Sequence, residues 1–318
     1  MVIMQKGFRT GEKLAVRHRN RTPWQEKLFK AVVYTVITLF CLLVLYPFWF
    51  MLILSLNEGQ DAMKGGIYIW PRAFTWFNYQ MVLANPVVKN AYLITIGRTV
   101  LGTVGGVLVT ALGAYALADK SLPGNKFLSY FILVPFVFSG GLIPYYLTLN
   151  DLKLINSFWV YVIPGLFSIW NMFVMKQFFT EIPESLTEAA IVDGAGDFTI
   201  LIRIIFPISL PLFASMALFT AVGHWNSWFD GAYYVNSENL IPLQTYLKKL
   251  LDSMSISMQN NNVGDNMNPS ILDKQMASII TNSVRMASIM VTTLPIMMLY
   301  PFLQKYFVKG VRIGAVKG

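Results

Sequence analysis

Charge is what this sequence is short of. Only 13% of its 318 residues are Asp, Glu, Lys or Arg, against about 25% in an ordinary soluble domain. Hydrophobic residues make up 55%, and the mean hydropathy is +0.52. That balance excludes a soluble globular chain and points to an integral membrane protein with a single membrane domain. Cysteine is nearly missing. Cys41 is the single one, so no internal disulfide can form, and its place in the first apolar run suits a small hydrophobe in a helix. Histidine is scarce too, with His18 in a basic leader and His224 far downstream. The chain contains no H-E-x-x-H, no G-x-S-x-G and no G-x-x-x-x-G-K-[ST]. It therefore lacks the zinc-hydrolase helix, the nucleophile elbow and the phosphate-cradling loop. No enzyme, no metal ligand set and no cofactor bound by this chain is expected. If ATP drives it, the ATPase is another chain. An internal repeat is also missing, as are ionisable residues near mid-span, and both count against a secondary transporter.

What the sequence does have is apolar runs of about the 20 residues that a membrane-crossing helix needs. Six spans are expected, at roughly 31–56, 91–118, 127–149, 157–175, a fifth continuing through Pro207 and Pro211 to about 229, and 283–307. Ser139-Gly140-Gly141 and Pro144 break the third. Such breaks are tolerated in a bundle whose neighbours re-satisfy the freed backbone groups. The first run is too long for a signal-peptide core and no A-x-A-like cleavage site follows it, so it reads as an uncleaved anchor. The domain plan is a basic N-terminal segment (1–30), a six-span membrane domain (31–309) with a long connection at about 231–282, and a short tail (310–318).

The formal charge of +9 is a topology signal and gives no support to nucleic-acid binding. With the N-terminus inside, sixteen of the 25 basic residues fall on the inner side, seven on the outer, and Arg98 and Arg285 within spans. The longer loops are the outer ones. By the positive-inside rule both termini are cytoplasmic.

One polar stretch between two apolar runs organises the rest: EIPESLTEAAIVDGAGDFTILIRIIFPISLP, residues 181–211. Ser185 and Glu188 form S-x-x-E, the spacing of a capping box. Pro183 suits the first turn of a helix, and Gly194 is a natural left-handed stop. Asp193 to Gly196 then make a turn, after which Asp197 can cap the next helix. Ala189 and Ala190 give the short helix a bare face that another chain could approach closely. A plain surface helix at about 183–197 is the simpler reading of those residues alone.

Glu188-Ala189-Ala190, then Gly194, then Ile204 and Pro207, resembles the EAA motif of ABC importer permeases, with Phe206 where the family usually has Leu. Further residues are similar to the sugar-importer permeases of the maltose-transporter G-subunit type. These include Tyr46-Pro47-Phe48-Trp49, Tyr115-Ala116-Leu117-Ala118, Trp225-Asn226-Ser227-Trp228-Phe229, Asn239-Leu240-Ile241-Pro242-Leu243 and the tail Gly310–Gly318. The resemblance implies an all-α type I importer permease of six transmembrane helices in a bacterial cytoplasmic membrane. It implies that the 183–197 helix is a coupling helix, with Ser185, Glu188, Ala189, Ala190, Asp193 and Gly194 meeting a cytoplasmic ATPase. The partners implied are a second, homologous permease, two ATPase subunits that hold ATP and Mg, an extracellular solute-binding protein, membrane lipids and a sugar substrate. An amino-acid or peptide importer remains open, because the EAA motif is shared across substrate classes.

Candidates for a solute path come from polar and aromatic residues in or near spans. Arg98 and Arg285 lie near the outer ends of the second and sixth spans. Snorkelling to headgroups is the simpler reading; the sharper one is that one of them faces the path and meets an acidic group on the solute, with Asp230 as an alternative partner for either. His224, Trp225, Asn226 and Trp228 form a second set, since rings offer an apolar face to sugar C–H groups while His and Asn can bond hydroxyls. An interfacial aromatic belt accounts for the same residues. Trp170 and Asn171 sit mid-span in the fourth helix, where a polar group can equally bond across helices. Tyr145 and Tyr146 follow the glycine break.

Overall fold

The computed structural model describes residues 24–62, 64–260 and 282–298. It divides into two units, the first ending at Trp49 and the second beginning at Phe50. The N-terminal unit carries most of helix α1 (Trp24–Ser55). Its side chains are exposed almost all round, although the helix is apolar on every face. A helix of that kind belongs in a bilayer or against another chain.

Among the described residues of the second unit the regular elements are all helical, joined by turns and loops, with one isolated antiparallel bridge between Asn57 and Phe74. Two short helices, α2 (Gly59–Ala62) and α3 (Phe77–Ala84), lead to α4 (Pro86–Ala118), the central element. Asn85 caps α4 by accepting from the Val87 amide, and Pro86 occupies the first position, where its missing N–H costs nothing. Buried residues recur along α4 at Val88, Ala91, Thr95, Arg98, Gly102, Gly106, Thr110, Ala114 and Leu117. That spacing of three and four is one face of a helix. The face is mostly small, which lets neighbouring helices approach closely where lipid removes the usual hydrophobic drive.

Helices α5 (Asn125–Val137) and α6 (Leu142–Asp151) meet at a bend of 114° across the Ser139–Gly141 break. Two 3-10 turns, Phe158–Tyr161 and Ile163–Gly165, run into α7 (Ile169–Thr180). Next comes α8 (Glu184–Val192), followed by α9 (Asp197–Ile200), a π turn (Leu201–Ile205), α10 (Phe206–Ile208) and α11 (Leu210–Asn226). The π turn lies immediately ahead of Pro207, whose absent N–H and ring disturb the i→i−4 ladder. The chain then turns by 84° between Asp197–Ile208 and Leu210–Tyr233. Helices α12 (Phe229–Tyr233) and α13 (Leu243–Asn260) follow, and α14 covers 282–298.

The main apolar core lies where α4, α7 and α11 pack together. Val107, Ala111 and Ala114 meet Met172, Met175 and Phe179, and Phe213 and Met216 close the cluster. Backbone and side chain are stitched across it by the Ser168 amide donating to Thr110 Oγ1 at 3.1 Å.

Three helical stretches among the described residues are long and apolar enough to cross a membrane: Trp24–Ser55, Pro86–Ala118 and Phe158–Thr180. The two bent pairs raise the number to five if each is one span. The stretches expected as the third and fifth spans are these bent pairs, and glycine and proline interrupt them. The expected sixth begins as α14, and its remainder lies outside the described residues, as do the leader before residue 24 and the tail. The connection expected at 231–282 is not open loop where it is described, since it holds most of α12 and all of α13.

Candidate functional site

A cavity of about 420 Å³ opens between α4, the two 3-10 turns, the start of α7, α11 and α12. Its floor is an ion pair. Arg98 sits on the buried stripe of α4 and donates through one terminal nitrogen to Asp230 Oδ2 at 2.8 Å. Through the other it donates to the Ser227 carbonyl at 3.1 Å. Its guanidinium carbon lies 4.6 Å from the centre of the Tyr161 ring, within cation–π range. Tyr161 is itself fixed by donating to the Leu240 carbonyl at 2.8 Å. Ser227 Oγ donates to the same Asp230 Oδ2 at 2.9 Å.

The two partners are not equally accessible. The Arg98 side chain is 1% exposed and that of Asp230 31%. The cation is buried behind the anion, and the Arg98 Nε has no hydrogen-bond partner among the described residues. An isolated buried charge is costly, and removing one member of such a pair typically costs about 3–5 kcal/mol. Around this floor stand Asn171, whose amide reaches Thr220 Oγ1 at 3.4 Å, the imidazole of His224, and Tyr145 from α6. The His224 ring rests on α4 at Gly102, where any side chain would collide with it.

The α8 region has the opposite character. Gly194 adopts φ +81°, a left-handed backbone that favours glycine. The Ala195 amide reaches the Ala190 carbonyl and the Gly194 amide the Ile191 carbonyl, each at 2.9 Å. That pair of bonds is a Schellman closure, which satisfies the last carbonyls of the helix. At the other end the expectation needs correction. The N-cap is Pro183, and no side chain caps the helix, so the Ser185–Glu188 capping box is not formed. The helix begins two residues earlier than a Ser185 cap requires, because Pro183 takes the cap position and Glu184 is the first helical residue; Lys120 Nζ donates to Glu184 Oε1 at 2.8 Å. Asp197 is likewise the first residue of α9, with Gly196 as the cap. Ser185, Glu188, Ala189, Asp193 and Gly194 are exposed, while Ala190, and Ile204 further along the motif, lean on the core. Leu186, Ile191, Val192 and Phe198 are exposed beside them, Val192 by 88%.

No family model matches the chain. Curated relatives do. The polygalacturonan/rhamnogalacturonan transport system permease protein YtcP of Bacillus subtilis is 30% identical over 92% of this chain and 100% of its own length. The chain belongs to the carbohydrate ABC transporter permeases. Protein LplC of Bacillus subtilis is 33% identical over 87% of this chain and 90% of its own. Among solved structures, a chain of a bacterial ABC transporter involved in the import of the acidic polysaccharide alginate matches with a TM-score of 0.78. It is 28% identical, over 89% of this chain and 98% of that one.

The fold of this permease brings some of the expected residues together and separates others. Arg98, Asn171 and His224 line one cavity. Arg98 does not snorkel, since it is buried and tied to Asp230. Nor does Arg285, which is 5% exposed and donates to Asn282 Oδ1 at 2.8 Å. Trp225 leaves the candidate set: it is buried, its indole N–H faces the Thr292 carbonyl at 3.4 Å, and its ring packs edge-on to Tyr92. Trp170 faces away from the cavity residues, stacked on Phe136 at 6.3 Å and 63% exposed. Asn226 is exposed and does not line the cavity. Trp228 packs with Phe229 and Tyr233 beneath the Lys248 ammonium. Sequence reasoning gave Asp230 only a partner's role and did not single out Tyr161 or Ser168. A Ser three residues before an Asp at a span end was the signal available for Asp230.

Proposed function

We propose that this permease forms, with a second and related permease, the path of an ATP-driven carbohydrate importer working by alternating access. The observation that carries the reading is similarity along the whole length to YtcP, whose printed role is polygalacturonan/rhamnogalacturonan transport. The alginate importer's likeness in fold and sequence supports the same substrate class. The α8 helix docks on a separate ATPase, two copies of which supply ATP, Mg and hydrolysis. Its exposed Glu188 and Ala189, and the left-handed Gly194 that ends it, suit close approach by another chain. A solute-binding protein delivers the sugar to the outer side, and both termini lie in the cytoplasm of a bacterial cell. The cavity floored by Arg98 and Asp230 is part of the path.

The test is uptake into liposomes by the complex purified with this chain, using labelled oligosaccharides, amino acids and peptides. Carbohydrate uptake that requires ATP is the expected result. Uptake of amino acids or peptides instead would reassign the substrate class, and ATP-independent uptake by the chain alone would return a secondary transporter to first place.

A further inference from the structure

We propose that Asp230 is the substrate-facing group of the cavity, accepting hydroxyls of an uncharged sugar unit, and that Arg98 is a positioning residue. This rests on the carbohydrate reading above and names the part of the sugar that the cavity takes. Arg98 is the one Lys or Arg among the described residues lining the cavity, and its side chain is 1% exposed against 31% for Asp230. Its two terminal nitrogens each donate one hydrogen bond, to the Ser227 carbonyl and to Asp230. Both hydrogen bonds to the Asp230 carboxylate, from Arg98 and from Ser227 Oγ, land on Oδ2. Oδ1 has no hydrogen-bond partner among the described residues. A carboxylate oxygen that takes no hydrogen bond from the described residues, on the more exposed partner of the pair, is an acceptor for hydroxyl donors.

A substrate carboxylate meets the opposite field. It approaches an anion first, and the guanidinium is screened from it by that anion. Reaching Arg98 would require displacing Asp230 from a buried pair. The ring chemistry agrees with a sugar. Tyr145 lines the same cavity and packs against Tyr234 at 5.8 Å, offering an aromatic face to C–H groups while Asp230 takes hydroxyls. The arrangement therefore reads the hydroxyl pattern of one neutral residue, or the neutral edge of a mixed chain.

The deciding experiment is direct binding of tritiated sugars to the purified complex, without a binding protein. The probes are matched pairs: galacturonate and mannuronate trimers, each beside its counterpart with the C6 carboxyl reduced to CH2OH. The expected result is binding of the reduced member of a pair about tenfold or more tighter than the acid, the scale of one charge-assisted hydrogen bond gained or lost. Ser227→Ala, which removes one support of the carboxylate, should weaken the reduced sugar without changing the acid. Arg98→Met combined with Asp230→Asn removes both charges, so no buried charge is left unpaired, and should still lose the neutral sugar at least tenfold. A wild-type preference for the acid, abolished by the double variant, would overturn the proposal and leave the carbohydrate reading standing. Binding of neither member of any pair would overturn both.

Discussion

Two polar segments interrupt the apolar chain, and they are built on opposite terms. Residues 57–79 are tied into a knot. Asn78 Nδ2 donates to the carbonyls of Ser55 and Asn57 at 2.9 and 3.0 Å. Asn57 accepts from the Ala73 amide at 2.8 Å and donates to Asp61 Oδ2 at 3.2 Å. Arg72 closes the loop on both Asp61 oxygens at 3.0 and 2.9 Å, and Ser55 and Tyr79 share a hydrogen bond of 2.7 Å. Residues 183–197 have almost none of this. Their backbone closes on itself through the Schellman bonds, and the side chains stay at the surface. Polar side chains in the first segment are used to hold the chain; in the second they are left for something else to hold. The first should answer to substitution with lost stability, the second with lost transport.

The largest effect is expected from Gly194→Pro. Proline fixes φ near −65° and removes the amide that reaches Ile191, so the stop of α8 cannot form. Uptake should fall to background while insertion into the membrane is unchanged. Normal uptake by this variant would remove α8 from the coupling role.

Asn78→Ala should do the reverse. It strips two carbonyls of their donor in a buried site, at a cost of about 1–3 kcal/mol, read as a lower midpoint of thermal unfolding in detergent. Transport by the folded fraction should persist, and an unchanged midpoint would show that the knot does not hold the segment.

A smaller effect follows acidification. The hydrogen bond from Arg72, with help from Asn57, outweighs burial and holds the Asp61 carboxyl below its ordinary value. A group with a depressed pKa contributes stability that is fully present above its unfolded value and is lost as pH falls through the folded one. Amide exchange across 57–79 should therefore quicken as pH drops below about 4, after correction for intrinsic rates. Asp61→Asn should abolish that added pH dependence. The same measurement across 183–197 should show no comparable step.

The smallest effect belongs to Lys120 and Glu184. Their 2.8 Å pair is 72% exposed on both sides, and exposed pairs contribute little. Lys120→Ala should leave the unfolding midpoint unchanged within error, and a clear drop would mean that this contact anchors α8.

Much of the architecture was legible because lipid imposes a simple rule on sequence. Apolar runs marked the three long helical stretches, missing their ends by up to about seven residues, and Gly140-Gly141 with Pro144 marked the break in the third run; Pro207 and Pro211 flank the other bend. Gly194 declared its left-handed backbone in advance. The capping box did not form because Ser185–Glu188 spacing is a local signal, while Pro183 took the cap position two residues earlier. The side-chain geometry of the cavity was less legible. Arg98 and Asp230 are 132 positions apart, and only the packing of α4 against α11 brings them together. Snorkelling looked simpler for Arg98 because a single sequence does not reveal that a carboxylate waits beside a buried cation. Trp225 and Trp228, three residues apart, diverged for a related reason: Trp225 lies in the last turn of α11 and is buried, and Trp228 stands just past that helix, at the start of α12, and is partly exposed.

The central claim is that this chain works as the permease of a multi-subunit importer. Its most direct test is mild-detergent purification of the tagged full chain, followed by mass spectrometry of whatever accompanies it, with Gly194→Pro prepared in parallel. The account predicts a second EAA-bearing permease and a P-loop ATPase with the wild type, and loss of the ATPase alone from the variant. A wild-type chain that purifies alone and transports without ATP would contradict it.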